Sequence, residues 1–140
     1  MNNMKHALCA FVLATMGSTS AYGQHQIAES CSGTETIQVG AEAPKTAPYT
    51  LTFSADLAGG YYCYAECRPE QTYRIKDRAS NPIKLADMIS GLQIRQITFD
   101  RKTAVLTDRQ VLTVLGTVKR DAKAACRPAI FHKPTPLPGE

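Results

Sequence analysis

Tryptophan is absent from the 140 residues and histidine occurs three times. His25 and His132 sit near opposite ends, in segments expected to be mobile, whereas a general base needs a fixed position. The chain has no Gly-x-Ser-x-Gly elbow, no phosphate-binding glycine loop and no His-Glu-x-x-His pair. The common hydrolase, nucleotide-hydrolysing and zinc-protease chemistries therefore have no footing. A thioredoxin-type Cys-x-x-Cys is also missing. No apolar run approaches the roughly 20 residues of a membrane-spanning helix. Charged residues make up 20% of the chain, with the signs interspersed, as in Asp100-Arg101-Lys102 and Asp108-Arg109. That is the pattern of a solvated surface, not of the basic stripe that neutralises phosphates. These absences set the expectation of no enzyme activity, no cofactor, no metal and no nucleic-acid partner.

The opening residues carry a positive signal. Lys5 and His6 precede an uncharged apolar run, Ala7 to Met16, and small and polar residues follow to Gly23. This is the order of a secretory signal peptide. Small residues at Ala21 and Gly23 place cleavage before Gln24; Thr19 and Ala21 allow it before Tyr22. Cys9 lies within the apolar run and leaves with it. Removal of residues 1–23 leaves 117 of the 140 residues, one domain by length, with no membrane span and a periplasmic or secreted destination.

Four cysteines remain: Cys31, Cys63, Cys67 and Cys126. An even number in an exported chain points to disulfides. Zinc is the competing reading, since Cys63 and Cys67 have loose metal-ligand spacing. In a straight strand those two would stand about 13 Å apart, whereas a disulfide needs Cα atoms within about 7 Å. A Cys63–Cys67 bridge thus requires a turn at Ala65-Glu66, and the following Arg68-Pro69-Glu70 favours a chain reversal. The favoured pairing is Cys63–Cys67 with Cys31–Cys126. The rival is a crossed arrangement that ties Cys31 to Cys63 or Cys67.

Hydrophobic periodicity favours strands. Tyr49, Leu51, Phe53 and Ala55 alternate with Thr50, Thr52 and Ser54, which gives a sheet with one wet face. Short alternating segments recur at 36–40, 61–65, 72–76 and 83–85, with Tyr73 and Ile75 directed inward. Residues 86–91 suit a helical turn or a loop. In 93–99, Ile94 and Gln96 oppose Ile97 and Phe99, so a bulge near Gln96 would reconcile the register. Residues 97–106 read as a hairpin turning at Arg101-Lys102-Thr103. The segment 108–125 is open between helix and strand, with strand favoured by Val111-Leu-Thr-Val-Leu115 and by Gly116. Residues 24–32 should fray until Cys31 pins them, and 128–140 is a Pro-rich extended tail. The fold expected over 24–127 is all-β, a small antiparallel sandwich or partly closed barrel, with room for one short helix.

An early cysteine (Cys31), the hairpin Ile97-Thr-Phe-Asp-Arg-Lys-Thr-Ala-Val-Leu106 and the closing Ala125-Cys-Arg-Pro-Ala-Ile-Phe131 resemble small exported proteobacterial proteins of unknown function, alphaproteobacterial ones in particular. The resemblance implies a β-rich fold closed by a disulfide and brings no catalytic residue. Such proteins place glycine where this chain has Ala104.

For binding, the tyrosines stand out. Tyr62 and Tyr64 share a face if 61–65 is extended, and rigid aromatics anchor partners at little entropic cost. The same residues serve equally as core packing in a domain without tryptophan. Glu66 and Glu70, which flank Arg68, read as a solvated turn rather than a glycosidase pair. The function expected is a non-enzymatic binding domain, a hydrolase inhibitor being one form, acting on an unknown protein or envelope component. A structural or stress-related envelope role is the alternative, followed by a small periplasmic enzyme.

Overall fold

The structure, a computed structural model, describes residues 25–139; the expected signal peptide lies outside the described residues. Eight strands follow one another: β1 (Gln26–Val39), β2 (Lys45–Asp56), β3 (Tyr61–Tyr64), β4 (Thr72–Arg74), β5 (Ile83–Ile89), β6 (Gln93–Asp100), β7 (Val105–Leu112) and β8 (Val118–Pro128). All pairings are antiparallel, and β1 pairs with β8. Two four-stranded meanders are thus joined back to back into one nearly closed barrel, in the order β4-β3-β2-β1-β8-β7-β6-β5.

Alternation along each strand decides what enters the barrel. On β2, Phe53 and Ala55 are buried, with Tyr49 and Leu51 packed against the same core. Phe53 meets Phe99 edge-on, with ring centroids 5.3 Å apart, and Ile83, Leu85, Ile97 and Leu106 fill the space around them. Burying each such side chain contributes about 2 kcal/mol. Cys31 lies opposite Cys126 across β1 and β8 and is bonded to it, with Cα atoms 3.9 Å apart. The bridge spans a sequence separation of 95, a loop for which cross-linking contributes about 4–5 kcal/mol. Beside it the two strands approach so closely that a Cβ on Gly33 would stand 2.1 Å from the Lys123 carbonyl oxygen. Only glycine fits there.

Several expectations are corrected. Residues 86–89 continue β5, with no helical turn, and the one short helix among the described residues is the 3-10 turn Pro69–Gln71. Strand β6 runs regularly, with Ile97 and Phe99 inward; the irregularity lies on β5, between Lys84 and Ala86. The alternation of β6 is masked in the sequence because Arg95 also points inward, where it is paired with Asp108. Residues 26–32 belong to a fully paired strand. The strand reading favoured for 108–125 holds: the segment forms two strands, separated by a turn at 113–117.

The tail is extended, as its prolines require, and it is also docked. Ala129 N–H donates to Ala28, His132 N–H to Ser54 Oγ at 3.0 Å, and Thr135 N–H to Thr72 Oγ1 at 3.2 Å. It crosses the outside of β1, β2, β3 and β4 in turn, with Pro134 buried. This strap covers Ser54 and Thr72, which alternation alone assigns to the wet face.

Candidate functional site

Strands β4 and β5 should close the barrel, yet among the described residues the one bridge between their edges joins Asp77, beyond the end of β4, to Lys84, with backbone hydrogen bonds of 3.0 and 2.9 Å. Beyond that bridge the two edges part. A cavity of about 550 Å³ fills the gap, and residues 73–76 of one edge face 85–88 of the other. Four consecutive residues on each side mean that both side chains and backbone edges border it. It is a slot through the wall.

The inner surface of the slot is aromatic. Tyr62 and Tyr64 lie two apart on β3 and turn to the same side, their rings edge-to-face at 5.3 Å. Tyr73, paired with Tyr62 across β3 and β4, lies 5.6 and 5.7 Å from the two rings. The three divide the roles weighed from sequence. Tyr62, 4% exposed, belongs to the core, Tyr64 is partly buried, and Tyr73, 46% exposed, stands at the opening. Burial pushes the Tyr64 hydroxyl well above the ordinary phenol range, with a further rise from its hydrogen bond to Tyr62 Oη; burial also raises Tyr62. Both remain neutral hydroxyls. Ile75, Met88 and Leu85 complete an apolar lining.

Arg95 lies behind this layer. Its guanidinium stands 5.9 Å from the Tyr64 ring centroid, a cation–π distance. Nη2 donates to Asp108 Oδ2 at 2.9 Å, and the same carboxylate oxygen accepts from Tyr49 Oη at 2.9 Å. Burial alone would lower the Arg95 pKa, but the hydrogen bond and charge of Asp108 outweigh it and hold the group above its ordinary value. Burial, helped by Asp108, raises Tyr49 strongly. Arg120 donates to Glu35 through two nitrogens, at 2.8 and 3.0 Å. This end of the barrel therefore holds two cations matched by two carboxylates, which gives it rigidity and little net charge. The sequence signal was present: Glu35, Arg95, Asp108 and Arg120 all occupy inward positions of strands, where a charge needs a partner.

Outside the slot, Arg74 and Lys76 lie on the β4 rim and Asp87 on the β5 rim. Arg74 stacks over Tyr61 at 5.2 Å, and Asp87 accepts from Gln96. Neither Arg74 nor Lys76 forms an ion pair among the described residues. The lip beyond Met88 is apolar and exposed: Ile89 at 72% and Leu92 at 58%. Thr113 donates to the Leu92 carbonyl, which brings the β7–β8 turn, with Val114 and Leu115, beside that lip.

The remaining candidates fall elsewhere. Cys63 and Cys67 are bonded, with Cα atoms 4.9 Å apart; positive φ at Ala65 and Cys67 makes the turn. Their sulfurs lie under the strap, 3.7 and 3.5 Å from the His132 carbonyl oxygen. Glu66 pairs with Arg68 on the surface, and Glu70 lies in the 3-10 turn that follows. At the other end of the barrel a cavity of about 310 Å³ is bordered by Glu29 and Arg101. Glu29 Oε2 is buried without a hydrogen-bond partner, and burial raises its pKa. Among the described residues no cluster of three or more His, Cys, Asp or Glu side chains suits a metal ion, and no helix is long and apolar enough to cross a membrane.

No protein-family model, curated protein or solved structure matches the chain.

Proposed function

We propose that the chain is an exported binding domain, periplasmic or secreted and without catalysis of its own, which holds its partner in the slot between β4 and β5. The observation that carries this reading is the slot itself. Among the described residues every other pair of neighbouring strands is hydrogen-bonded, and the wall opens at one seam, onto three clustered tyrosines. Concave, mostly apolar sites with a few fixed polar groups are where proteins hold ligands. The cation behind the tyrosine layer supports binding over catalysis, because Arg95 is held by the Asp108 carboxylate. Two disulfides suit an oxidising compartment. A hydrolase with an exposed loop is one partner of this kind.

The test is titration of the ¹⁵N-labelled mature domain with small aromatic fragments such as p-cresol and indole. Amide shifts confined to Tyr73, Ile75, Ala86 and Met88 are expected. Absence of shifts, or shifts centred elsewhere, contradicts the assignment of the site.

A further inference from the structure

The chemistry bordering the slot is more specific than an aromatic pocket, because backbone borders it too. Ile75 N–H donates to Gly60 across β3 and β4. Backbone groups alternate sides along an antiparallel strand, so the N–H and C=O of Arg74 face the gap. Ser90 and Gln93 exchange hydrogen bonds at the end of the β5–β6 hairpin. The same alternation, with Ile89 opposite Ile94 and Asp87 opposite Gln96, turns the backbone groups of Asp87 and Ile89 to the gap. Each edge therefore presents donors and acceptors with no partner strand, a template for another chain. Side chains follow the same division. Tyr73, Ile75, Ala86 and Met88 face in, whereas Arg74 and Asp87 face out.

We infer that the slot takes an extended segment of a partner polypeptide, which adds as a strand between β4 and β5 and completes the wall. Its apolar side chains turn in to Tyr62, Tyr64 and Tyr73, and an acidic side chain lies outside against Arg74 and Lys76. The inference rests on the slot being the binding site and names the class of partner. Three observations favour a polypeptide over a small molecule. Unpaired backbone lies on both sides of the gap. Two cations with no ion pair among the described residues stand on one rim, complementary to a carboxylate. Exposed apolar side chains, Ile89 and Leu92, follow Met88 in the β5–β6 hairpin, outside the cavity lining, which suits a partner larger than the cavity. Strand addition is an established mode of peptide recognition, with backbone giving affinity and alternate pockets giving specificity.

The experiment is selection of displayed random decapeptides on the disulfide-intact mature protein. The strongest binders are then resynthesised with backbone N-methyl groups at alternate residues. Selected sequences are expected to alternate apolar residues with at least one Asp or Glu between them. They should slow hydrogen exchange at the Arg74, Asp87 and Ile89 amides. N-methylation on the hydrogen-bonding register should weaken binding about tenfold or more, since each lost bond is worth about 1 kcal/mol. Asp87→Pro removes an edge donor that the β5–β6 ladder does not use, and proline is tolerated on such an edge; it should weaken the same peptides relative to Asp87→Ala, which loses the same Gln96 hydrogen bond and keeps the backbone donor. No enriched peptide, or binders indifferent to both N-methylation and Asp87→Pro, overturns strand addition. If aromatic fragments still shift the slot amides in that case, the site stands and its ligand is a small molecule. If neither fragments nor peptides engage the slot, both readings fail together.

Discussion

The N–H of His132 donates to Ser54 Oγ at 3.0 Å, a bond that joins a tail residue to the outward face of β2, 78 positions earlier in the chain. It makes the Pro-rich tail a structural strap. Truncation after Pro128 should uncover Ser54, Thr72 and the Cys63–Cys67 sulfurs. The expected result is faster reduction of that disulfide by dithiothreitol, with Cys31–Cys126 unaffected in its buried position. Mass spectrometry of alkylated samples taken over time measures both.

The Asp108 carboxylate accepts from Arg95 and from Tyr49 and is nearly buried. Asp108→Asn keeps the shape but leaves Arg95 without its counter-charge. Breaking such a pair costs about 2–3 kcal/mol, below the full buried-pair figure because Arg95 is 31% exposed. Urea unfolding should show this loss, whereas Tyr49→Phe, which removes one hydrogen bond, should cost about 1 kcal/mol.

Glu29 offers a pH test. Burial raises its pKa above the ordinary 4.5, so the unfolded chain ionises first as pH rises. Below the ordinary value both states are protonated and Glu29 makes no difference. Above it the folded state loses stability until its own, higher pKa is passed. Glu29→Gln should therefore raise the melting temperature at pH 7 and leave it unchanged at about pH 3. An equal gain at both pH values contradicts burial of an ionised carboxylate.

Tyr62 and Tyr73 should separate packing from binding. Tyr62→Ala empties a buried site and should cost about 3–4 kcal/mol. Tyr73→Ala, at the opening of the slot, should cost under about 1 kcal/mol and still abolish fragment binding. Thermal unfolding and the fragment titration, run on both variants, measure the two effects.

The strands and the disulfides were legible because their signals are local. The Tyr49–Ala55 alternation assigns a face, and the positions of Cys63 and Cys67 demand the turn that Ala65 supplies. The turn at 101–103 was readable from Asp100, whose Oδ1 accepts from the Lys102 and Thr103 amides. Ala104 takes the left-handed backbone, φ 52°, where glycine was expected. Tyr62, Tyr64 and the inward Tyr73 were legible, and the structure brings their rings together. Met88 and Arg95 were not: they reach the tyrosines through pairings across β5–β6 and through an incomplete seam, which spacing along one strand does not encode. Asp108 reads as solvated surface, and Arg95 as a break in the alternation of β6, because a charge at an inward position makes no pattern until its counter-charge is known. The strap was missed because prolines announce extension and say nothing of docking.

Hydrogen exchange of the free protein, followed amide by amide along β4 and β5, tests the open seam most directly. The amides of Ile75 and Met88 point into ladders and should be protected, whereas those of Arg74, Asp87 and Ile89, on the same strands, should exchange near the unprotected rate. That alternation between neighbours is the result the account predicts. Uniform protection across Arg74, Asp87 and Ile89 would mean that β4 and β5 are already paired, the wall is closed and no slot exists to bind anything.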